Sequence, residues 1–133
     1  MIYRLMISKQ DFITKIHLII SASIVIPIAF VYGFKPELGF DMSLDTIDEH
    51  NFHKAIMGLY LGFSALWLLG VLKSNYLKTA LITNMIFMLG LACGRVSSIL
   101  GDGLPTVGYV FGTVAELALG CYGIWVLRRY RHV

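Results

Sequence analysis

Residues 16–34 read IHLIISASIVIPIAFVYGF, nineteen positions without a single Asp, Glu, Lys or Arg. At 1.5 Å per helical residue the run is about 28 Å long, close to the thickness of a bilayer's hydrocarbon core. Residues 55–72, AIMGLYLGFSALWLLGVL, have the same character. So do 79–100 and 105–127, each interrupted by one ionisable residue, Arg95 and Glu116. The whole chain of 133 residues is 57% hydrophobic and 14% charged, with mean hydropathy +0.74. A soluble domain carries nearly twice that share of charge. These numbers predict an integral membrane protein.

The four stretches are joined by about twenty residues, then six, then four. Connections that short predict an antiparallel four-helix transmembrane bundle, a single all-α domain over 1–133 with its long loop at 35–54. The first stretch is too long for a signal-peptide core and lacks a small-x-small cleavage site, so it reads as a retained helix.

The basic residues set the expected orientation. Arg4, Lys9 and Lys15 precede the first stretch, Lys73 and Lys78 lie between the second and third, and Arg128, Arg129 and Arg131 follow the fourth. These are eight of the eleven Lys and Arg residues, all on one side if the helices alternate. The other side holds Lys35 and Lys54 among Glu37, Asp41, Asp45, Asp48, Glu49 and Asp102. The positive-inside rule then places both termini in the cytoplasm, in an inner-membrane, multi-pass protein. The net charge of +3 is a topological signal: basic residues at span ends meet anionic lipid headgroups. No basic groove with interleaved aromatics points to nucleic acid.

Cofactor chemistry finds little support. His17 and His53 begin opposite ends of their spans, too far apart to share a haem iron. His50 and His53 stand at i, i+3 beside Asp48 and Glu49, but a solvated loop explains them as well as a metal does, so no metal and no cofactor are expected. Cys93 and Cys121 differ in depth by about 12 Å, beyond disulfide reach, and read as small packing residues. No nucleophile–base arrangement is present, which leaves catalysis open and unassigned.

The informative residues are the ionisable ones inside the apolar runs. Arg95 lies about 8 Å, and Glu116 about 15 Å, below the outer boundary by helix rise. A carboxylate at that depth needs a partner or a proton. Gly108, Gly112, Glu116 and Gly120 recur every four residues, a small-residue ridge of the kind that packs helices closely in lipid. Gly58 and Gly62, and Gly90 and Gly94, form similar pairs. Glu116 is therefore expected to point into the bundle. Arg95, Ser98 and Asp102 share a helix face, so Asp102 and Glu116 are both open as partners for Arg95. Asn51 reads as an N-cap, with His53, Lys54 and Tyr60 following at the same outer end. Asn84 stands alone in the inner half, where an interhelical hydrogen bond is the expectation.

At these residues the chain resembles the bacterial four-helix membrane family catalogued as domain of unknown function 4345. The resemblance rests on NFHKAIMGLYLG at 51–62, a Gly-Arg pair with Arg95 seven residues before the Asp102-Gly103 pair, and a lone Glu in the last helix. It covers about residues 15–128. Asn51, Gly58, Gly94, Arg95, Asp102, Gly103 and Glu116 stand where the pattern expects them, and Lys54 stands where the family more often has Arg. The resemblance implies a small inner-membrane bundle and brings no activity with it.

Three functional readings follow. In the first, Arg95, Glu116, Asp102, Ser98, Asn51 and Lys54 surround a polar pocket, entered past His53 and Tyr60, that binds a lipid or small amphiphile. Arg95 would hold an anionic or carbonyl group. In the second, the cluster only fixes helix register, in an accessory subunit of a membrane complex or a homo-oligomer. The third is transport. A pocket requires a cavity at the pair, a purely structural network requires direct contact without a void, and transport requires a path past Asn84.

Overall fold

The computed structural model describes residues 2–130, with the backbone alone at 3–8 and 130. The side chain of Arg4, and Arg131, both used above for orientation, lie outside the described residues. The described residues form four helices: α1 (Ile2–Phe34), α2 (Ile47–Leu72), α3 (Leu77–Asp102) and α4 (Val107–Tyr130). Single 3-10 turns stand at Pro36–Leu38 and Ser74–Tyr76. All four helices are long and apolar enough to cross a membrane. Between 22% and 39% of each apolar window is buried inside the protein. The remaining apolar faces, with Phe30, Leu59, Ile86 and Phe111 exposed, require a lipid solvent. This is a multi-pass membrane protein.

The helices run past the apolar stretches because charge ends a hydropathy window without ending a helix. α1 begins well before residue 16, and α2 begins at Ile47 rather than near 55. Its start is fixed by a capping box. The Thr46 hydroxyl accepts from the Glu49 N–H at 3.2 Å, and the Glu49 carboxylate accepts from the Thr46 and Asp45 N–H groups at 2.9 and 2.8 Å. Asn51 is therefore not the N-cap; it is an exposed residue inside the helix. α3 ends at Gly103, whose N–H bonds the Ile99 carbonyl and whose φ of 103° suits only glycine. At Gly70 a Cβ would collide with Ala80, so the absence of a side chain lets α2 meet the start of α3.

Packing is heaviest between α1 and α2 and between α3 and α4, while α1 also touches α3 across the bundle. The core gathers Leu18, Ala22 and Val25 of α1, Tyr60 and Trp67 of α2, and Phe87 of α3. The first turns of α1 and the last of α4 lie at one end, where Gln10 Nε2 donates to the Val126 carbonyl at 2.9 Å.

The terminal half of the core is more polar than the sequence suggested. Gln10, Thr14, His17 and Ser21 form a buried stripe along α1, a helical i, i+4, i+7, i+11 face. Thr14 returns its hydroxyl to the Gln10 carbonyl at 2.9 Å. Ser21 and Ser64 do not take this outlet and have no partner among the described residues. The same holds for Trp67 Nε1, His17 Nδ1 and both polar atoms of Asn84. Asn84 is thus neither isolated nor hydrogen-bonded to a neighbouring helix. Left dry, each such group costs about 1–3 kcal/mol.

The glycine pairs also differ from expectation. Gly108 and Gly120 are packed tightly, but Gly58, Gly62, Gly90 and Gly94 have no atom within 4 Å of a would-be Cβ and face outward. Cys93 and Cys121 are free and exposed rather than packed.

Candidate functional site

The end of the bundle away from the termini is built around Arg95. α3 carries it inward, and α4 presents Glu116 opposite. Arg95 Nε donates to both carboxylate oxygens of Glu116, at 3.0 and 2.9 Å. The side chains are 21% and 11% exposed, so the pair is largely out of solvent. The arginine uses one N–H for both contacts instead of the two-pronged fork usual for arginine–carboxylate pairs. Its two terminal amino groups make no hydrogen bond to Glu116.

Those amino groups stand in an aromatic cradle. The Arg95 guanidinium lies 5.4 Å from the Tyr109 ring, and the Tyr60 hydroxyl lies beside it. Tyr32 stacks over Tyr60 at 6.3 Å and over His53 at 4.9 Å. The loop after α1 closes the top. Phe40 is buried against Tyr109 at 4.4 Å and Tyr32 at 5.5 Å. This placement depends on Gly108, where any Cβ would strike the Gly39 carbonyl oxygen.

Three cavities meet at Arg95. The most enclosed, about 210 Å³, lies between α1, α3 and α4 and is lined by Ile24, Val25, Met88, Phe111, Gly112 and Glu116, among others. A second, about 370 Å³, opens at the Arg95 end of the bundle between Met42, Ser98, Pro105 and Tyr109. A third, about 490 Å³, is a groove between α2 and α3, bordered by Leu59, Tyr60, Ile86 and Gly90. The ion pair therefore sits in direct contact and beside open space, joining the cavity that the pocket reading requires to the direct contact that the structural reading requires.

Of the residues singled out from the sequence, Arg95, Glu116 and Tyr60 come together at the cavity. His53 is nearby but spends its ring on local contacts: Nδ1–H donates to the Glu49 carbonyl at 3.0 Å, and Nε2 lies 3.0 Å from Met42 Sδ. Ser98 borders the second cavity and donates to Asp102 at 3.0 Å, so Asp102 is held on its own helix and is not the partner of Arg95. Lys54 is exposed, 5.5 Å over the Phe34 ring. Asn51 is exposed and lines none of the three cavities.

Tyr32, Tyr109, Phe40 and Met42 were not foreseen. One signal was available for Phe40 and Met42: apolar side chains in a loop otherwise rich in acids. Nothing in the local pattern marks Tyr32 or Tyr109, which meet only when α1 and α4 are brought beside Arg95.

No curated protein sequence and no solved structure matches this chain. A family model does, the one described as Domain of unknown function (DUF4345), over residues 13–127. The chain belongs to this family.

Proposed function

We propose that this DUF4345 member binds a small amphiphile, with its polar head at Arg95 and its apolar part in the cavity between α1, α3 and α4. The carrying observation is that Arg95 gives Glu116 a single N–H while facing three open spaces. A guanidinium has five donors in a rigid fork, suited to a carboxylate, phosphate or carbonyl head. Glu116 holds the arginine in place and neutralises it while the site is empty. Ile24, Val25, Met88 and Phe111 supply an apolar wall. At about 210 Å³ the cavity is smaller than the roughly 300–1,000 Å³ of a drug-sized site. It suits one ring or the end of one chain rather than a whole two-chain lipid. The basic residues at the terminal end support an inner-membrane orientation with both termini in the cytoplasm, so that the site opens to the outer leaflet.

The test is mass spectrometry of molecules co-purifying with wild type and with Arg95→Gln in mild detergent. A defined amphiphile retained by the wild type and lost from a folded variant supports the reading. Equal retention by both refutes a role for Arg95 in binding.

A second reading has its own support. Gly58, Gly62, Gly90 and Gly94 present unpacked small-residue faces to the membrane, surfaces that suit a close helix from a second copy or a partner subunit. In that reading the Arg95–Glu116 pair only fixes the register of α3 and α4.

A further inference from the structure

We propose that the terminal half of the bundle contains a second site, a buried polar cluster that holds ordered water. Its members are His17 and Ser21 of α1, Ser64 and Trp67 of α2, and Asn84 of α3, each at most 1% exposed. Together they offer six polar atoms without a partner among the described residues: His17 Nδ1, Ser21 Oγ, Ser64 Oγ, Trp67 Nε1, and Asn84 Nδ2 and Oδ1.

Packing contacts bring these residues to one level. Ala80 abuts Gly70, and Phe87 lies 5.2 Å from the Trp67 ring, so Asn84 between them faces the Ser64–Gly70 segment of α2. The His17 ring lies beside Gly123, which also touches Met85, the neighbour of Asn84. His17 Nε2–H donates to the Leu119 carbonyl at 2.9 Å, which leaves Nδ1 as an acceptor. Ser21 follows His17 by one helical turn on the same buried face.

The chemistry of the cluster selects the occupant. The Trp67 indole and the Asn84 amide nitrogen donate, His17 Nδ1 and the Asn84 carbonyl accept, and the two hydroxyls do either. No Asp, Glu, Lys or Arg is among them. A cation would leave the donors unmet and an anion the acceptors, whereas water donates twice and accepts twice. At about three hydrogen bonds per buried water, six atoms call for about two molecules.

Val25, Phe87, Met88 and Leu119 bound the cluster on the side of Arg95. Val25 lies one turn beyond Ser21, and Phe87 and Met88 lie one turn beyond Asn84. All four also line the cavity at Glu116. The bundle thus holds two compartments, a wet one near the termini and a mainly apolar one at the ion pair, with a single apolar layer between them.

The full chain has two tryptophans, so Trp125→Phe leaves Trp67 as the sole indole. In that background, in lipid nanodiscs, the indole N–H should show a direct cross-peak to water. Asn84→Leu, which replaces the amide with apolar atoms, should abolish the cross-peak or slow indole exchange at least tenfold, and should not raise the melting temperature. Ser64→Ala, a smaller change, should slow the exchange less. A Trp67 indole without a water cross-peak overturns the proposal. So does an Asn84→Leu protein that melts higher than its parent, because removing unmet polar groups from a dry core stabilises it.

Discussion

Arg95 and Glu116 are joined by one guanidinium N–H, shared between two carboxylate oxygens at 3.0 and 2.9 Å. The contact ties α3 to α4 and leaves the arginine's other donors uncommitted to the carboxylate. Its two consequences, one for stability and one for binding, are separable by mutation.

Glu116→Gln leaves the Arg95 charge largely buried without its counter-charge. Breaking a fully buried pair costs about 3–5 kcal/mol. The partial exposure of this pair lowers the expectation to about 1–3 kcal/mol. The Arg95→Leu/Glu116→Leu double variant should regain much of that loss, since it removes both charges together. Thermal melts of the wild type, Arg95→Leu, Glu116→Leu and the double variant in one detergent measure the coupling. An unaltered melting temperature for Glu116→Gln would show the pair to be energetically idle.

The start of α2 gives a sharper contrast. Thr46→Ala removes the hydroxyl that accepts from Glu49 N–H and should cost about 1 kcal/mol. Asn51→Ala should stay within about 0.5 kcal/mol, because Asn51 is an exposed residue beyond the first turn. Paired melts check both. A larger effect at Asn51 would move the helix start back to where the sequence alone had placed it.

That misplacement shows what the sequence could convey. Four helices were legible because hydrocarbon-length apolar runs leave the backbone no alternative. Their ends were not, since Thr46 and Glu49 cap α2 inside a polar loop that hydropathy treats as uniform. The prominence of Arg95 and Glu116 was legible from the cost of charge in lipid. Their pairing was not, because Asp102 lay at an equally plausible distance along the helix. The Ser98–Asp102 bond that removes Asp102 from contention is a local rotamer choice. The terminal polar cluster escaped notice because Ser21, Ser64 and Trp67 are ordinary in apolar helices one at a time. Only together, as buried groups without a partner among the described residues, are they set apart.

Gly108 should tolerate no side chain. A Cβ there meets the Gly39 backbone carbonyl, and backbone yields less readily than a flexible side chain. Gly108→Ala should therefore cost about 1–3 kcal/mol as an overpacking change, with Phe40 displaced from Tyr109. Gly58→Ala has open space and should be neutral or slightly stabilising by helix propensity. Melting temperatures, with Tyr109 accessibility to a water-soluble quencher, decide the matter. Equal tolerance at both positions would mean the loop over the site is not held as described.

The outward glycines carry a test of the oligomer reading. If two copies pack through α2, Gly62→Leu should halve the particle mass measured by light scattering after detergent correction. The lone chain should be unaffected, since no atom lies within 4 Å of the new Cβ. An unchanged mass removes this face as an interface.

Gly112 separates binding from stability at the ion pair itself. Glu116→Gln perturbs both at once, so loss of a ligand from that variant has two explanations. Gly112 lines the cavity beside Glu116, and a Cβ there meets nothing within 4 Å. Gly112→Leu directs its added volume into the cavity and leaves the Arg95–Glu116 contact untouched. Apolar burial and the gain in helix propensity should hold the melting temperature at or above that of the wild type. If the cavity binds an amphiphile, Gly112→Leu should retain at least tenfold less of it in co-purification. A variant that melts normally and keeps its full complement of the same molecule would place the ligand elsewhere, in the α2–α3 groove or on the lipid-facing surface. The Arg95–Glu116 pair would then stand as a register lock between two helices.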